Sequence, residues 1–270
     1  MIIIGEKINA TRKSIAEALK NKQADIIQAV AKAQDYSGAD VIDVNAGAGR
    51  SDISTQIEDM KWLVKVVRSA THKPLMIDSE NPEVLEAGLK EAKNLSPWIN
   101  SVSAEEKRLA TVLKLAVEYD APLIALCMDD SGLPSNVEDR IKAAQKIFEQ
   151  AVSMGINGQK IYFDPLVMPI GAEDKAGRII LHTIKEIKKL FSPAKTAVGL
   201  SNVSFGLPAR PIVNSTFLAL CMSEGLDAAI MDPTDDNLMM TLRAGKAILG
   251  EDSYCADYIK EFRHRNKNRI

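Results

Sequence analysis

The stretch PLMIDSENPEVLEAGLKEAKNLSPWIN, residues 74–100, contains one complete strand–helix–strand unit. Its apolar run Pro74–Ile77 predicts a buried strand, and Asn81 followed by Pro82 combines a capping residue with proline at the first position of a helix. A second short strand is predicted over Trp98–Asn100. A strand, a helix and another strand in succession are typical of a parallel sheet.

The same alternation recurs along the chain, with amphipathic stretches such as Ala104–Tyr119 carrying apolar residues at helical spacing. Eight strands, each followed by a helix, predict an α/β fold in which residues 1–270 form a single (β/α)8 TIM barrel. An open doubly wound sheet is the alternative, but it usually has a glycine-rich first turn, and residues 2–9 contain one glycine. The predicted strands are 2–4, 41–44, 74–77, 98–100, 122–127, 160–163, 196–200 and 228–231.

Composition narrows the class of protein. The 34 Lys and Arg residues nearly balance the 36 Asp and Glu residues, and the net charge of -2 disfavours nucleic acid or an anionic membrane surface as a partner. No apolar run reaches the roughly 18 residues that indicate a membrane span. Cys127, Cys221 and Cys255 are too few and too scattered for a disulfide framework or a zinc site, so we expect a cytoplasmic protein.

Nearly every predicted strand ends in a carboxylate or a carboxamide. The active site of such a barrel lies at the carboxyl ends of its strands, where the loops converge. Asp and Asn are poor strand residues, and any one of them is equally well explained as a turn former. Their recurrence at successive strand ends instead predicts a ring of hydrogen-bonding side chains. The ring residues are Glu6, Asn9, Asp43, Asn45, Asp78, Asn100, Ser101, Asp129, Asp164, Ser201, Asn202 and Asp232.

The residue types of this ring suit a neutral, nitrogen-rich heterocycle, because they can both accept and donate hydrogen bonds. A histidine base or metal triad is disfavoured, since His72, His182 and His264 fall on or next to predicted helices. The turn at 201–204 lacks the glycines of a phosphate cradle. Carboxylates interleaved with amides are also a poor Mg²⁺ site, so we expect no bound metal.

Seven motifs together resemble one known family. They are Ile4-Gly5-Glu6-Lys7-Ile8-Asn9, Ile42-Asp43-Val44-Asn45, Met76-Ile77-Asp78-Ser79, Ile99-Asn100-Ser101, Tyr162-Phe163-Asp164-Pro165-Leu166, Gly199-Leu200-Ser201-Asn202-Val203-Ser204 and Arg210-Pro211. In this order and spacing the sequence resembles the methyltetrahydrofolate:corrinoid protein methyltransferases, which are pterin-binding barrel enzymes of one-carbon metabolism. It is also similar to the folate module of cobalamin-dependent methionine synthase, and the resemblance covers essentially the whole chain.

The resemblance implies a methyltransferase, in this family usually a homodimer, whose single domain, residues 1–270, binds 5-methyltetrahydrofolate or tetrahydrofolate at the top of the barrel. It implies that the methyl group moves between N5 of the folate and the cobalt of a corrinoid (cobalamin) carried by a separate protein, with no metal of the chain's own. By matching motif, Asp78, Asn100 and Asp164 hold the pterin, Asn202 is the catalytic residue at N5, and Arg210 approaches the p-aminobenzoyl-glutamate. Supporting positions behind them are Glu6, Asp43, Asn45 and Ser201.

Two other functions remain open at this point. A dihydropteroate synthase-like enzyme also places a pterin in such a barrel. This sequence lacks two features of that family: the lysine after strand six, since residues 164–169 contain no lysine, and the terminal Ser-x-Arg motif. A non-catalytic pterin-binding subunit would share the same ring of side chains. Turnover separates the enzyme from the binding subunit, because a subunit shows saturation alone.

Overall fold

The computed structural model describes residues 1–47 and 52–267. Within these ranges, eight parallel strands form a closed barrel. The strands follow one another in chain order around the barrel, and β8 closes it by pairing with β1. The strands are β1 (Ile2–Asn9), β2 (Val41–Asn45), β3 (Leu75–Asp78), β4 (Trp98–Ser103), β5 (Leu123–Leu126), β6 (Ile161–Asp164), β7 (Lys195–Gly199) and β8 (Ala228–Met231). The prediction of a single (β/α)8 barrel is confirmed.

Helices cover the outside of the barrel between successive strands. Asn81 caps α4 by accepting a hydrogen bond from the Glu83 amide at 2.9 Å, as the Asn81-Pro82 signal predicts. The helices are α1 (Lys13–Lys20), α2 (Ala24–Tyr36), α3 (Ile53–Arg68), α4 (Pro82–Ala92), α5 (Glu106–Glu118), α6 (Val137–Ser153), α7 (Ala176–Leu190), α8 (Arg210–Ser223), α9 (Asp236–Ile248) and α10 (Ala256–Lys267). None of the helices in the described ranges is long and apolar enough to cross a membrane.

An apolar layer fills the lower part of the barrel. Each strand contributes one buried side chain to it, and the rings of Trp98 and Tyr162 meet at its centre with centroids 4.8 Å apart. Because the interior is packed in this way, a small molecule has access from the upper end only. The layer consists of Ile4, Val41, Met76, Trp98, Ile124, Tyr162, Ala197 and Ala228.

The polar ring lies one step above this layer. Side chains on a strand alternate between faces, so a residue two positions further along the same strand also points into the barrel. On most strands that step leads from an apolar residue to a polar one, as from Met76 to Asp78 and from Tyr162 to Asp164. The exceptions are β5 and β8, where Leu126 and Ile230 keep the interior apolar, and β7, where the step from Ala197 leads to Gly199.

The helices pack so closely on the barrel that one added methyl group at their interface is expected to destabilise the fold. A Cβ at Gly88 of α4 would lie 2.5 Å from Ile77 Cγ2 of β3, whereas one at Gly177 of α7 would meet its nearest neighbour at 3.7 Å. We expect Gly88→Ala to lower the free energy of unfolding by about 1–3 kcal/mol through overpacking. Gly177→Ala is the matched control, with a change between zero and about 1 kcal/mol of stabilisation. Urea unfolding measures both, and equal shifts would contradict this packing.

Candidate active site

Asn45, Asp78 and Asn100 form a continuous polar row across three neighbouring strands. The register pairs Asn45 with Asp78 and Asp78 with Asn100, so their side chains lie at the same height. Asn45 Nδ2 donates to Asp78 Oδ2 at 2.8 Å. Burial raises the pKa of the Asp78 carboxyl to about 6, although the hydrogen bond from Asn45 and the charge of Arg108 both lower it. The row therefore presents one carboxyl flanked by two carboxamides.

Asp43 lies below this row, two residues before Asn45 on β2, and is 2% exposed. Its Oδ1 accepts a hydrogen bond from Asn100 Nδ2 at 3.3 Å. Burial, and then the neighbouring carboxyl of Asp78, raise the pKa of Asp43 well above its ordinary value. The hydrogen bond from Asn100 lowers the pKa of Asp43 but does not offset those two effects.

Asp164 and Asn202 meet around Gly199, the last residue of β7. The Asp164 carboxylate ends β6, is buried, and accepts hydrogen bonds from the amides of Leu166, at 2.8 Å, and of Gly199. Burial raises the pKa of Asp164 to about 6 against these bonds. A Cβ at Gly199 would lie 3.0 Å from Asn202 Nδ2. Glycine at this position therefore leaves room for the Asn202 amide beside Asp164.

Asn202 lies on a 3₁₀ turn, Leu200–Ser204, that its neighbours fix from both sides. Ser201 Oγ donates to Glu6 Oε2 at 2.9 Å, and Arg210 donates to the Ser201 carbonyl at 2.7 Å and to Ser204 Oγ at 3.0 Å. Burial raises the pKa of Glu6. The Asn202 side chain itself is exposed and has no hydrogen-bond partner among residues 1–47 and 52–267. A fixed turn thus carries an amide that is free to bind a ligand.

Two cations at the rim form ion pairs that the pattern of strand ends does not predict. Lys7 Nζ pairs with Asp232 Oδ2 at 2.8 Å, and Arg12 pairs with Glu6 Oε1 at 3.0 Å. Lys7 directly follows Glu6 in the sequence, but strand alternation alone does not predict its ion pair with a residue 225 positions away. Both cations are matched by rim carboxylates, so they do not make the site an anion-binding one.

In the described part of the chain, two of the predicted ring residues form side-chain hydrogen bonds within local turns alone, whereas Asn45, Asp164 and Asp232 combine such a turn with a bond to another strand or loop. Asn9 Oδ1 accepts from the amide and the hydroxyl of Thr11, and Asp129 Oδ1 accepts from the amide and the hydroxyl of Ser131. These are the side-chain turns that Asp and Asn commonly form. The functional ring is therefore narrower than the twelve positions read from the strand ends.

The site is organised as a hydrogen-bonding surface. Among the residues that the structure describes, no three His, Cys, Asp or Glu side chains lie together in a way that could hold a metal ion. The donors and acceptors of Asp78, Asn100, Asp164 and Asn202 come from β3, β4, β6 and the turn after β7. Such a set can grip the edges of a planar ring that carries both N–H donors and ring acceptors.

The buried carboxyls predict how the stability of the substrate-free protein depends on pH. Asp78 and Asp164 have a pKa of about 6 in the folded protein against 3.8 as the ordinary value, so the folded state holds their protons more tightly. The contribution of each carboxyl to the free energy of unfolding is therefore fully present below about pH 4. It is lost as the pH rises to about 6, which lowers the free energy of unfolding by about 1–3 kcal/mol for each carboxyl.

The pKa of Asp43 is raised as well, and Asp43→Asn tests the contribution of this carboxyl, because an amide keeps the acceptor for Asn100 and removes a buried ionisable group. We expect the variant to unfold at higher urea concentration than the wild type at pH 7 and to lose less stability between pH 4 and pH 7. Asp174→Asn, at an exposed position, is the control and should leave the slope unchanged. If Asp43→Asn and Asp174→Asn gave the same slope, the assignment of a raised pKa to Asp43 would be wrong.

The chain matches known proteins over most of its length. Residues 5–232 match the family model described as pterin binding enzyme. Over 265 residues the chain is 36% identical to a methylcorrinoid:tetrahydrofolate methyltransferase of Eubacterium limosum, covering 97% of this chain and 96% of that protein. It is also 32% identical over 245 residues to a methionine synthase of Mycobacterium tuberculosis, where the match covers 86% of this chain and 20% of that longer protein.

Solved structures share the fold at lower identity. A Yersinia pestis DHPS with a pterine-sulfa conjugate superposes with a TM-score of 0.69 at 16% identity, covering 93% of each chain. A Xanthomonas albilineans dihydropteroate synthase in complex with 7,8-dihydropteroate gives a TM-score of 0.68 at 16% identity, covering 92% of this chain and 93% of that one. At this identity the likeness establishes the barrel alone. The family match over residues 5–232 and the 36% identity establish more: the chain belongs to the pterin binding enzyme family.

Proposed function

We propose that residues 1–270 act as one methyltransferase domain that moves a methyl group between N5 of 5-methyltetrahydrofolate and the cobalt of a corrinoid protein. One observation carries this proposal. The unpartnered amide of Asn202 lies on a fixed turn beside buried Asp164, in a chain that is 36% identical over nearly its whole length to a methylcorrinoid:tetrahydrofolate methyltransferase.

We assign recognition of the pterin to Asp78, Asn100 and Asp164. The 2-amino group and ring N–H of a pterin are donors that a carboxylate accepts in pairs, and its ring acceptors suit an amide donor. The pKa of about 6 for both Asp78 and Asp164 leaves them ionised at neutral pH. Hydrogen bonds from the ligand to the ionised carboxylates bring those raised pKa values down again.

Asn202 assists the transfer of the methyl group by binding N5. The departing group is an amine anion unless N5 gains positive character, so a partner that bonds preferentially to protonated N5 lowers the barrier. The Asn202 carbonyl can accept that N–H, and one such hydrogen bond lowers the barrier by about 2–4 kcal/mol. The amide cannot supply the proton itself. Its role is differential binding between the neutral and protonated states of the folate.

The remaining site residues support these contacts from behind or from the rim. Glu6 and Ser201 hold the turn of Asn202, whereas Asp43 and Asn45 fix Asn100 and Asp78. Arg210 is exposed, and the N–H donors it does not use on Ser201 and Ser204 suit the carboxylates of the p-aminobenzoyl-glutamate. We therefore assign Arg210 to the outer part of the substrate.

The methyl acceptor is supplied by a partner. Cobalt(I) of a corrinoid is a strong nucleophile toward a methyl group, and the exposure of Asn202 fits an acceptor that approaches from outside the barrel. For the assembly we propose a homodimer, which the exposed apolar residues Ile212 and Leu220 of α8 support. We place the protein in the cytoplasm, in keeping with free Cys127, Cys221 and Cys255. The cobalamin and the folate are substrates, and no metal of the chain's own enters the scheme.

Two alternatives predict different behaviour in one experiment. Purified protein is mixed with cob(I)alamin and 5-methyltetrahydrofolate under anaerobic conditions, and the absorbance change to methylcobalamin is followed. We expect catalytic turnover. A non-catalytic pterin-binding subunit would bind the folate without turnover. A dihydropteroate synthase-like enzyme would also form no methylcobalamin, because its reaction joins a pterin pyrophosphate to p-aminobenzoate. Failure of methyl transfer with intact folate binding would overturn the proposed function.

A further inference from the structure

Arg108 joins the loop that follows β3 to the last part of β4, directly after Asp78 and Asn100. It lies in the first turn of α5, and its Nη2 donates to the Ser101 carbonyl at 2.5 Å and to the Ser79 carbonyl at 3.0 Å. Its Nη1 donates to the Glu80 carbonyl. All three acceptors are main-chain oxygens. The arginine therefore bonds directly to the backbone that follows Asp78 and Asn100.

The bonded carbonyls are adjacent to the proposed ligand-binding side chains. Ser79 directly follows Asp78, and Ser101 directly follows Asn100. Without the arginine, the ladder between β3 and β4 ends at the pair of Asp78 and Asn100, and one further main-chain bond runs from the Ser79 amide to the Asn100 carbonyl at 3.0 Å. The planar guanidinium adds bonds to the backbone just beyond that pair on both sides, which restricts its rotation.

We propose that Arg108 is a positioning residue that holds Asp78 and Asn100 in a fixed arrangement, so that together they match one edge of the pterin ring. This inference rests on the proposed function, and it gives Arg108 no contact with the substrate. Preorganised groups bind a rigid ligand more tightly because less conformational freedom is lost on binding. Lysine cannot reproduce the arrangement, since its ammonium lacks the planar fork.

The charge of Arg108 adds an effect that a purely structural residue would not have. Four neighbours act on Asp78: Asn45 and Asp43 from β2, Glu80 from its own loop and Arg108 from α5. Among them Arg108 is the cation, and it lowers the pKa of Asp78. Because the pterin donors require an ionised Asp78, removal of Arg108 should move folate binding to higher pH.

The test is the dissociation constant of 5-methyltetrahydrofolate for the full chain, measured by titration from pH 5.5 to 8. We expect Arg108→Met to weaken binding about tenfold at pH 7 and to shift the pH midpoint upward. Arg108→Lys should also lose affinity but keep the midpoint of the wild type, because its charge is retained. Lys107→Met is the matched control: it removes the same charge at the adjacent, exposed position and should bind like the wild type.

Two further binding experiments distinguish a positioning role of Arg108 from a direct contact between Arg108 and the substrate. In an Asn100→Ala background, the loss caused by Arg108→Met should shrink, since half of the arrangement is already gone. A tetrahydropterin without the p-aminobenzoyl-glutamate should show the same fold-loss as the complete folate. Wild-type affinity in Arg108→Lys, an undiminished loss in the Asn100→Ala background, or a loss confined to the complete folate would each overturn the inference.

The outcome also distinguishes this inference from the proposed function. If Asp78→Ala bound the folate like the wild type, the proposed pterin site itself would be wrong. If Asp78→Ala weakened binding but Arg108→Met and Arg108→Lys did not, the positioning role alone would fail. Should Arg108→Met fail to fold in a melting experiment, Arg108→Lys carries the test.

Discussion

Asn202→Ala is expected to lower the rate of methyl transfer by about 10- to 1000-fold, while the affinity for 5-methyltetrahydrofolate changes less. The reason is that the Asn202 amide strengthens its bond as N5 becomes protonated, so its loss acts mainly on the transition state. Single-turnover kinetics with cob(I)alamin measure the rate, and titration of the folate measures the affinity.

The matched control for this variant is Asn94→Ala. Asn94 is also an exposed asparagine on a 3₁₀ turn, Lys93–Leu95, but it precedes β4 and lies at the opposite end of the barrel. We expect its transfer rate to equal that of the wild type. A wild-type rate in Asn202→Ala would remove Asn202 from catalysis, and equal losses in affinity and rate would make it a binding residue only.

Asp164→Ala is expected to weaken binding of 5-methyltetrahydrofolate by about 10- to 1000-fold, as loss of charge-assisted hydrogen bonds to the pterin implies. Isothermal titration at pH 7 measures the change. Since Asp164 also accepts hydrogen bonds from the amides of Leu166 and Gly199, a melting experiment must accompany the titration.

Asp78→Ala provides an independent arm, because the carboxyl of Asp78 accepts its side-chain hydrogen bond from Asn45 and anchors no loop amide among the described residues. A weakened affinity in both variants, with the barrel intact, is the expected result. An unchanged dissociation constant in a folded Asp164→Ala protein would exclude that carboxyl from the pterin site.

The barrel and the height of its polar ring could be predicted from the sequence because both depend on local periodicity. Each apolar run has the length of a strand, and the alternation of faces places Asp78 and Asp164 above Met76 and Tyr162. The pattern of one helix after each strand predicts one helix between β1 and β2, whereas the structure has two. The additional helix α1 has eight residues, which is shorter than the roughly 11 to 18 residues over which helical periodicity is recognised.

The partners of the ring residues could not be predicted in the same way. The bond of Ser201 to Glu6 and that of Lys7 to Asp232 join residues about 200 positions apart, and closure of the barrel creates them. An Asp or Asn after a strand is typical of a local turn as well as of a binding site, so the sequence does not separate Asn9 and Asp129, which form turns, from the residues of the site. Arg108 binds main-chain carbonyls, which carry no signal in the side-chain pattern.

A crystal structure with bound 5-methyltetrahydrofolate will test whether the polar ring holds the pterin with N5 at Asn202. We expect the pterin ring against Asp78, Asn100 and Asp164, with N5 within hydrogen-bonding distance of the Asn202 amide and the glutamate near Arg210. A folate bound at any other place, with the ring of side chains unchanged, would contradict it.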